Sequence, residues 1–262
     1  MLLHNKALRR VELNHPRFAD RSDVRRLKTV LSLERARLGA SRAVLRVLTD
    51  RPEEDSGFRV EASISTRHGD LTYFGRNERD RLPDDGLLHA ETRYLARTLV
   101  SPRRPVPQDH GIAPLEKDGR TAASLAELYA SIYSDYPEPL DASSILGRME
   151  GSIAYGASRE GRLVAALFGC PADYGPLKTV EFTLSATLPT ARGTGLTTAL
   201  AAAIRAEAMR RFGDPLMLAE TIAAPVMRSC RDMGMEVCGV MPEHTRIGIG
   251  ANKYRNLYVW YL

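Results

Sequence analysis

Cysteine is scarce in this chain, with three residues, Cys170, Cys230 and Cys238, and no C-x-x-C pair or histidine at ligand spacing among them. That composition excludes a disulfide scaffold, argues against a zinc site or any other metal centre, and fits a reducing compartment. No stretch approaches 18 uninterrupted apolar residues, so no membrane span is expected. The N-terminal Met-Leu-Leu-His-Asn-Lys turns charged at Arg9 and Arg10 before a secretory apolar core forms, which leads to the expectation of a cytoplasmic protein. Fixed-period repeats, low-complexity tracts and heptads are also lacking. Neither sign of charge dominates: 37 Lys+Arg against 32 Asp+Glu leave +5, too little to select a partner. The arginine pairs at 9–10, 25–26 and 103–104 are dispersed and lack interleaved aromatics, so nucleic acid is not an expected partner.

What is present is a folding chain of 262 residues, 44% hydrophobic and 26% charged, long enough for one large α/β domain or two modest ones. Residues 22–38 place Val24, Leu27 and Leu31 on one face, with Ser22 as cap and Gly39 as stop, which predicts a helix. Strands are predicted at Ala43–Leu48 and Leu71–Phe74 and a helix at Leu87–Leu99, a small α/β unit spanning residues 1–105. The proline-rich segment 101–119 reads as a surface connection, and a second domain is placed at 118–262. There a helical stripe at 121–134 precedes DYPEP. Strands at 152–158, 161–168 and 179–187 follow as a meander, then a long amphipathic helix at 195–211 with Leu196, Leu200, Ala203, Ile204 and Ala208 on one face. A strand at 216–220, a helix at 225–233 and strands at 235–241 and 256–261 complete the prediction.

The segment Leu188-Pro-Thr-Ala-Arg-Gly-Thr-Gly-Leu-Thr197 carries the most chemistry. It joins an apolar strand to the long helix through two glycines one residue apart, a turn able to expose successive backbone amides beside a helix N-terminus. It lacks the lysine of a Walker loop, and Thr198 stands where a dinucleotide fingerprint needs its third glycine. A plain structural turn is the competing reading.

The stretch from Val180 to Arg211 resembles the acyl-CoA-binding segment of the GCN5-related N-acetyltransferase (GNAT) superfamily, Arg/Gln-x-x-Gly-x-Gly/Ala after a bulged strand, with Arg192, Gly195 and Thr197 at its three defined positions. The segments at 125–140, 153–165 and 181–196 and the terminal NLYVWYL are similar to the beta-lysine N-acetyltransferases. The resemblance implies a mixed-sheet acetyltransferase fold at 118–262, preceded by a smaller α/β domain open to being a degenerate relative of the same fold. It also implies acetyl-CoA as cofactor, its pyrophosphate held by amides from Gly193, Thr194, Gly195, Leu196 and Thr197 with Thr187 and Arg192 beside them, and a small-molecule amine as partner.

Amine acetylation needs a proton acceptor, an oxyanion donor and a proton for the thiolate. Glu181 and Glu220 are candidate carboxylates, the first equally readable as a salt-bridge partner and the second as a solvated strand-end charge, and the N–H near Ser185 or Ala186 is the candidate on the oxyanion side. Tyr136, Leu184 and His244 are candidate substrate contacts. Leu184 stands where the family commonly has an acidic residue, Met227 where it has an asparagine, and residues 224–234 lack the family's tyrosine. Tyr254 and Tyr258 are weak substitutes for that tyrosine; Cys230, Trp260 and Tyr261 read as packing residues, and His244 is expected in a polar turn. The expected activity is N-acetyl transfer to a small amino acid or related metabolite. The alternatives are a coenzyme A-binding regulator without transfer and an acetyltransferase acting on an antibiotic or biosynthetic intermediate. Self-association to a homodimer is left open.

Overall fold

The computed structural model describes residues 2–6, 8–55, 57–78, 82–83, 85–104, 111–134, 136, 138–222, 224–245 and 253–262. In chain order the elements are β1 (Leu2–Asn5), β2 (Arg10–Phe18), α1 (Arg21–Arg37), β3 (Arg42–Thr49), β4 (Arg59–Thr66), β5 (Gly69–Asn77), β6 (Leu82–Pro83) and α2 (Asp85–Val100). They continue with β7 (Ile112–Pro114), α3 (Gly119–Ala130), α4 (Ala142–Gly151), β8 (Ile153–Arg159), β9 (Arg162–Tyr174), β10 (Leu177–Thr187), α5 (Leu196–Phe212), β11 (Leu216–Thr221), α6 (Ala224–Asp232), β12 (Glu236–Thr245) and β13 (Lys253–Tyr261). No helix among the described residues is long and apolar enough to cross a membrane.

The strands form one mixed sheet in the order β1-β2-β3-β5-β4-β12-β13-β11-β10-β9-β8-β7, with β6 beside β13. Two five-strand blocks share a single topology. In the first, β1 is antiparallel to β2, β2 crosses through α1 to a parallel β3, and the β4–β5 hairpin adds back beside β3. In the second, β9 is antiparallel to β10, β10 crosses through α5 to a parallel β11, and β12 and β13 add back in the same order. The blocks meet at β4 and β12, antiparallel, through Gly239 opposite Ala62.

The long sheet curls until its two blocks face each other. The Gly175 N–H at the end of β9 donates to Pro16 O of β2 at 2.9 Å, closing the curve. Inside, Val44, Leu48, Leu71 and Tyr73 of the first block pack with Tyr174, Leu177, Leu218 and Val259 of the second. On the outer side, α5 buries Leu196, Leu200, Ile204 and Ala208 against Ile153 and Val180, while Ala203 stays at the margin. Trp260 is buried, and its indole N–H donates to Thr221 Oγ1 at 3.0 Å.

Most predicted elements are present, usually longer than their apolar cores. The α1 cap differs: Asp20 Oδ1 accepts from the Asp23 N–H at 2.9 Å, and Ser22 donates its hydroxyl to Asp20 rather than capping. β2, β4 and α4 have no counterpart in the sequence prediction, because RVELNHPRF and RVEASIST dilute the strand alternation with charge and small polar residues. Residues 105–110 of the proposed connection lie outside the described residues.

Gly239 is where the blocks touch. A Cβ there would sit 2.3 Å from Glu61 O and 2.5 Å from Ala62 Cα, so backbone would have to move. Gly239→Ala is expected to lower stability by about 2 kcal/mol, read as a lower urea midpoint; an unchanged midpoint would show that the β4–β12 junction yields freely.

Candidate active site

β10 leads into the turn that precedes α5. A single 3₁₀ turn, Pro189–Ala191, buries Ala191 and is followed by Gly193 at φ 79° and Gly195 at φ 80°. Both conformations are left-handed, where a side chain is strained and glycine is not. Gly195 caps α5 without a side-chain acceptor, so among the described residues no side chain caps the first N–H groups of the helix, whereas the equivalent α1 is capped by Asp20. A Cβ on Gly193 would meet nothing within 4 Å, which leaves the outer side of the turn open. Thr187 Oγ1 lies 3.3 Å from Thr197 Oγ1, tying the strand end to the first helical turn. Arg192 Nε donates to Thr187 O at 3.3 Å, and Thr194 Oγ1 to Ala191 O at 2.7 Å. The arrangement fits an anionic diphosphate: free amides, a positive helix end, an open approach and an exposed arginine.

Immediately upstream, β10 breaks register with β9. Thr183 pairs with Phe168 and Ala186 with Ala166, so Leu184 and Ser185 oppose Leu167 alone, a β-bulge. Leu184 takes φ 50°. Tyr129 Oη donates to Leu184 O at 2.9 Å and Tyr133 Oη to Ser185 O, so two tyrosines hold the bulged carbonyls. Burial pushes the Tyr133 phenol up to about 12 and that of Tyr136 higher still, with the facing Tyr133 adding to the latter. The Tyr133 and Tyr136 rings lie 5.1 Å apart.

A cavity of about 510 Å³ runs from Thr197 and the bulge to the interior of the curled sheet. Glu181 and Glu220 stand on adjacent parallel strands at its inner part, with Tyr133, Tyr136, Leu184 and Ser185 on one side and Arg10 and Glu12 of β2 on the other. Arg46 of β3 bridges the two carboxylates: Nη1 donates to Glu181 Oε2 at 2.8 Å and Nη2 to Glu220 Oε1, with Glu12 Oε1 3.7 Å away. Burial, then the charge of Glu181, raises the Glu220 carboxyl to about 8 against the opposing pull of Arg46.

Glu181 is thus held by the Arg46 guanidinium, and Glu220, which could have been a solvated strand-end charge, is instead buried against the same group; both also face the cavity. Ser185 and Leu184 sit on the bulge; the Leu184 side chain is buried toward α3. Leu196 is a core residue, which leaves only its backbone to a ligand. His244 differs from expectation: it lies in β12, buried, with Nε2 against Arg10 and Nδ1 accepting from Arg42 Nε at 3.2 Å. A neutral imidazole accepts at one nitrogen, so one of these contacts is a close approach rather than a hydrogen bond. Cys230 is buried, and desolvation pushes its thiol up, as befits a packing residue. Tyr254 and Tyr258 are buried. Tyr261, expected as packing, is half-buried and donates its hydroxyl to Glu236 at 3.2 Å. Sequence reasoning missed Arg10, Arg46, Tyr129 and Tyr133. The signal for Arg46 was a charge in the middle of an otherwise apolar strand, which demands a buried partner.

No family model matches the sequence, and no curated protein matches it. Solved structures similar to this chain include a ribosomal-protein-alanine N-acetyltransferase from Brucella melitensis, 20% identical with a TM-score of 0.45 over 58% of this chain and 98% of that one. A polyamine N-acetyltransferase from Drosophila melanogaster is 15% identical with a TM-score of 0.46, covering 58% and 99%. An N-acetyltransferase from Staphylococcus aureus is 13% identical with a TM-score of 0.46, covering 57% and 94%.

Glu220 gives the site a pH signature. Its carboxyl ionises at 4.5 ordinarily and at about 8 in the folded chain, so folding takes up a proton between those values. Its contribution to stability is complete below pH 4.5 and declines as pH rises through about 8. Glu220→Gln is expected to flatten the fall of the urea midpoint across that window; an undiminished slope would assign it to another group.

Proposed function

We propose that the protein is an acetyl-CoA-dependent N-acetyltransferase of the GNAT type that acetylates the amine of a small metabolite. The observation that carries this reading is the continuity of three features: an uncapped helix behind two left-handed glycines, a bulged strand, and a carboxylate-lined cavity leading inward from both. The amides from Gly193 to Thr197, with Arg192, hold the cofactor's pyrophosphate. Bound acetyl-CoA supplies the acyl thioester. An N–H on the bulge at Ser185 or Ala186 faces the negative charge that develops on the carbonyl oxygen, a donor fixed in place before the reaction. Glu181, or Glu220 once ionised, accepts the acceptor's proton directly or through water, and Tyr133, un-ionised at neutral pH, lies on the same cavity, where its hydroxyl turns from Ser185 O to protonate the thiolate.

The acceptor end of the cavity is walled by Leu3, Leu8, Arg10 and Glu12 from the first block, which favours a small molecule over an extended peptide. Carboxylates and a guanidinium on the same walls offer partners to both charges of an amino acid, which keeps beta-lysine among the candidates.

Thiol release from acetyl-CoA across beta-lysine, lysine, diamines, other amino acids and aminoglycosides tests the reading. Turnover is expected with one class of small amine. Coenzyme A binding without turnover would favour the regulatory alternative, and absence of both would end the proposal. Gly195→Val is expected to weaken coenzyme A binding at least about tenfold, because valine strains the left-handed cap. Glu181→Gln is expected to spare that binding and lower kcat about 10²-fold; unchanged turnover would remove Glu181 from the mechanism.

A further inference from the structure

β3 reads RAVLRVLT, and Arg46 is the charged residue at its centre, pointing into the interior of the curled sheet. By sheet order β3 is remote from β10 and β11; the closure of β2 onto β9 is what brings it to them. The guanidinium then contacts Glu181 through one nitrogen and Glu220 through the other, and its Cζ lies 4.6 Å over the Tyr73 ring. The ring contact holds the guanidinium in place, and a planar fork with its prongs on two different carboxylates sets their separation, which a lysine ammonium cannot do.

We propose that Arg46 is a positioning residue of the transfer reaction, a clamp from the first block that holds Glu181 and Glu220 in the geometry in which they meet the acceptor amine. The inference rests on the acetyltransferase reading of the same site. It makes the first block part of the acceptor site in a second sense, beyond its walls.

The charges around the clamp determine what removing it does. Arg10 and Glu12 face the carboxylate pair from β2, and His244 meets it through Arg10. Tyr73, Tyr174 and Cys238 face Arg46 or Glu220 from β5, β9 and β12, and Tyr136 and Cys170 face Glu181. Burial raises each of these phenols and thiols, so they stay neutral through the working range. Against Glu12, Glu181 and Glu220, the facing cations are Arg10 and Arg46. Without Arg46 the carboxylates lose an opposing charge and bind protons more tightly, so the acidic limb of a base-dependent reaction moves to higher pH.

The test compares kcat/KM against pH for wild type, Arg46→Lys, Arg46→Gln and the double variant Arg46→Gln with Glu220→Gln, alongside calorimetric coenzyme A binding. Carbon-13 titration of the glutamate carboxyls in wild type and Arg46→Gln runs in parallel. The glutamine variant is expected to move the acidic limb up by about one pH unit and lower kcat about 10²-fold. Lysine should keep the limb near its wild-type position without restoring kcat, and coenzyme A affinity should stay within about threefold in every variant. The double variant removes one buried carboxylate with the guanidinium, which keeps the comparison open if the single variant folds poorly. A limb unmoved in both glutamine variants would overturn the clamp, as would rate and coenzyme A affinity falling together in lysine and glutamine alike, the mark of a merely structural role. A wild-type protein that binds coenzyme A but acetylates no amine would overturn the transferase reading instead. The carboxyl titrations, displaced or not by Arg46→Gln, would then decide separately whether Arg46 governs the pair.

Discussion

A guanidinium taken out of water must be met by opposite charge, and the interior of this protein is organised around that requirement. Arg46 is buried on β3, and no carboxylate of its own strand neighbours faces it except Glu12 of β2. Its other partners, Glu181 and Glu220, come from the opposite block of the sheet. The curl that brings β2 to β9 is therefore coupled to the ion cluster: open the curl, and one buried cation and two carboxylates lose their partners at once. Breaking such a buried pair typically costs about 3–5 kcal/mol, far more than an exposed pair such as Arg26 with Asp23 is worth. The same cluster lines the cavity, so the curl that pairs these charges also shapes the cavity's wall.

The two blocks repeat one topology but not one helix start. In both, a strand passes through a helix to a parallel neighbour, and the difference lies in how the helix begins. Asp20 gives α1 an oxygen for its orphan amides; Gly195 gives α5 none. A satisfied helix start has no need of an anion, and an unsatisfied one flanked by left-handed glycines has room and donors for one. The first block contributes Arg10, Glu12 and Arg46 to a cavity that Thr197, at the end of the second block's glycine turn, also lines.

What could be read from the sequence was local. The periodicity of 195–211, the R-G-x-G turn and the apolar strands of the meander depend on neighbours within a few residues, and the structure has each of them, with the middle strand running on from the expected 168 to Tyr174. Strand pairing, curl and burial depend on residues far apart. His244 looked like a turn histidine because its flanks, Pro-Glu before and Thr-Arg after, are polar; it is buried because Arg10 and Arg42 from the first block supply polar partners there. Glu181 and Glu220 were recognisable as strand carboxylates, but that they share a guanidinium some 135 and 174 residues away in the chain follows only from the closed sheet. Arg46 was the legible clue, since a charge in AVLRVL has to be paired or exposed, and its strand has no exposed face.

The bulge shows how the site keeps a shape that local energetics disfavour. A leucine at φ 50° pays roughly 1–2 kcal/mol for its left-handed backbone. Two side-chain hydrogen bonds, from Tyr129 and Tyr133 to the carbonyls of Leu184 and Ser185, return about 1 kcal/mol each. Burial of the Leu184 side chain among Leu125, Phe168 and Met149 adds more. The strain is thus over-determined from the α3 side, and it falls just past Phe182 and Ala219, where the pairing of β10 with β11 ends. Tyr133 is common to both halves of this arrangement, bonded to the bulge and lining the cavity. The cavity wall and the bulge therefore share one hydrogen bond, and the shape of each constrains the other.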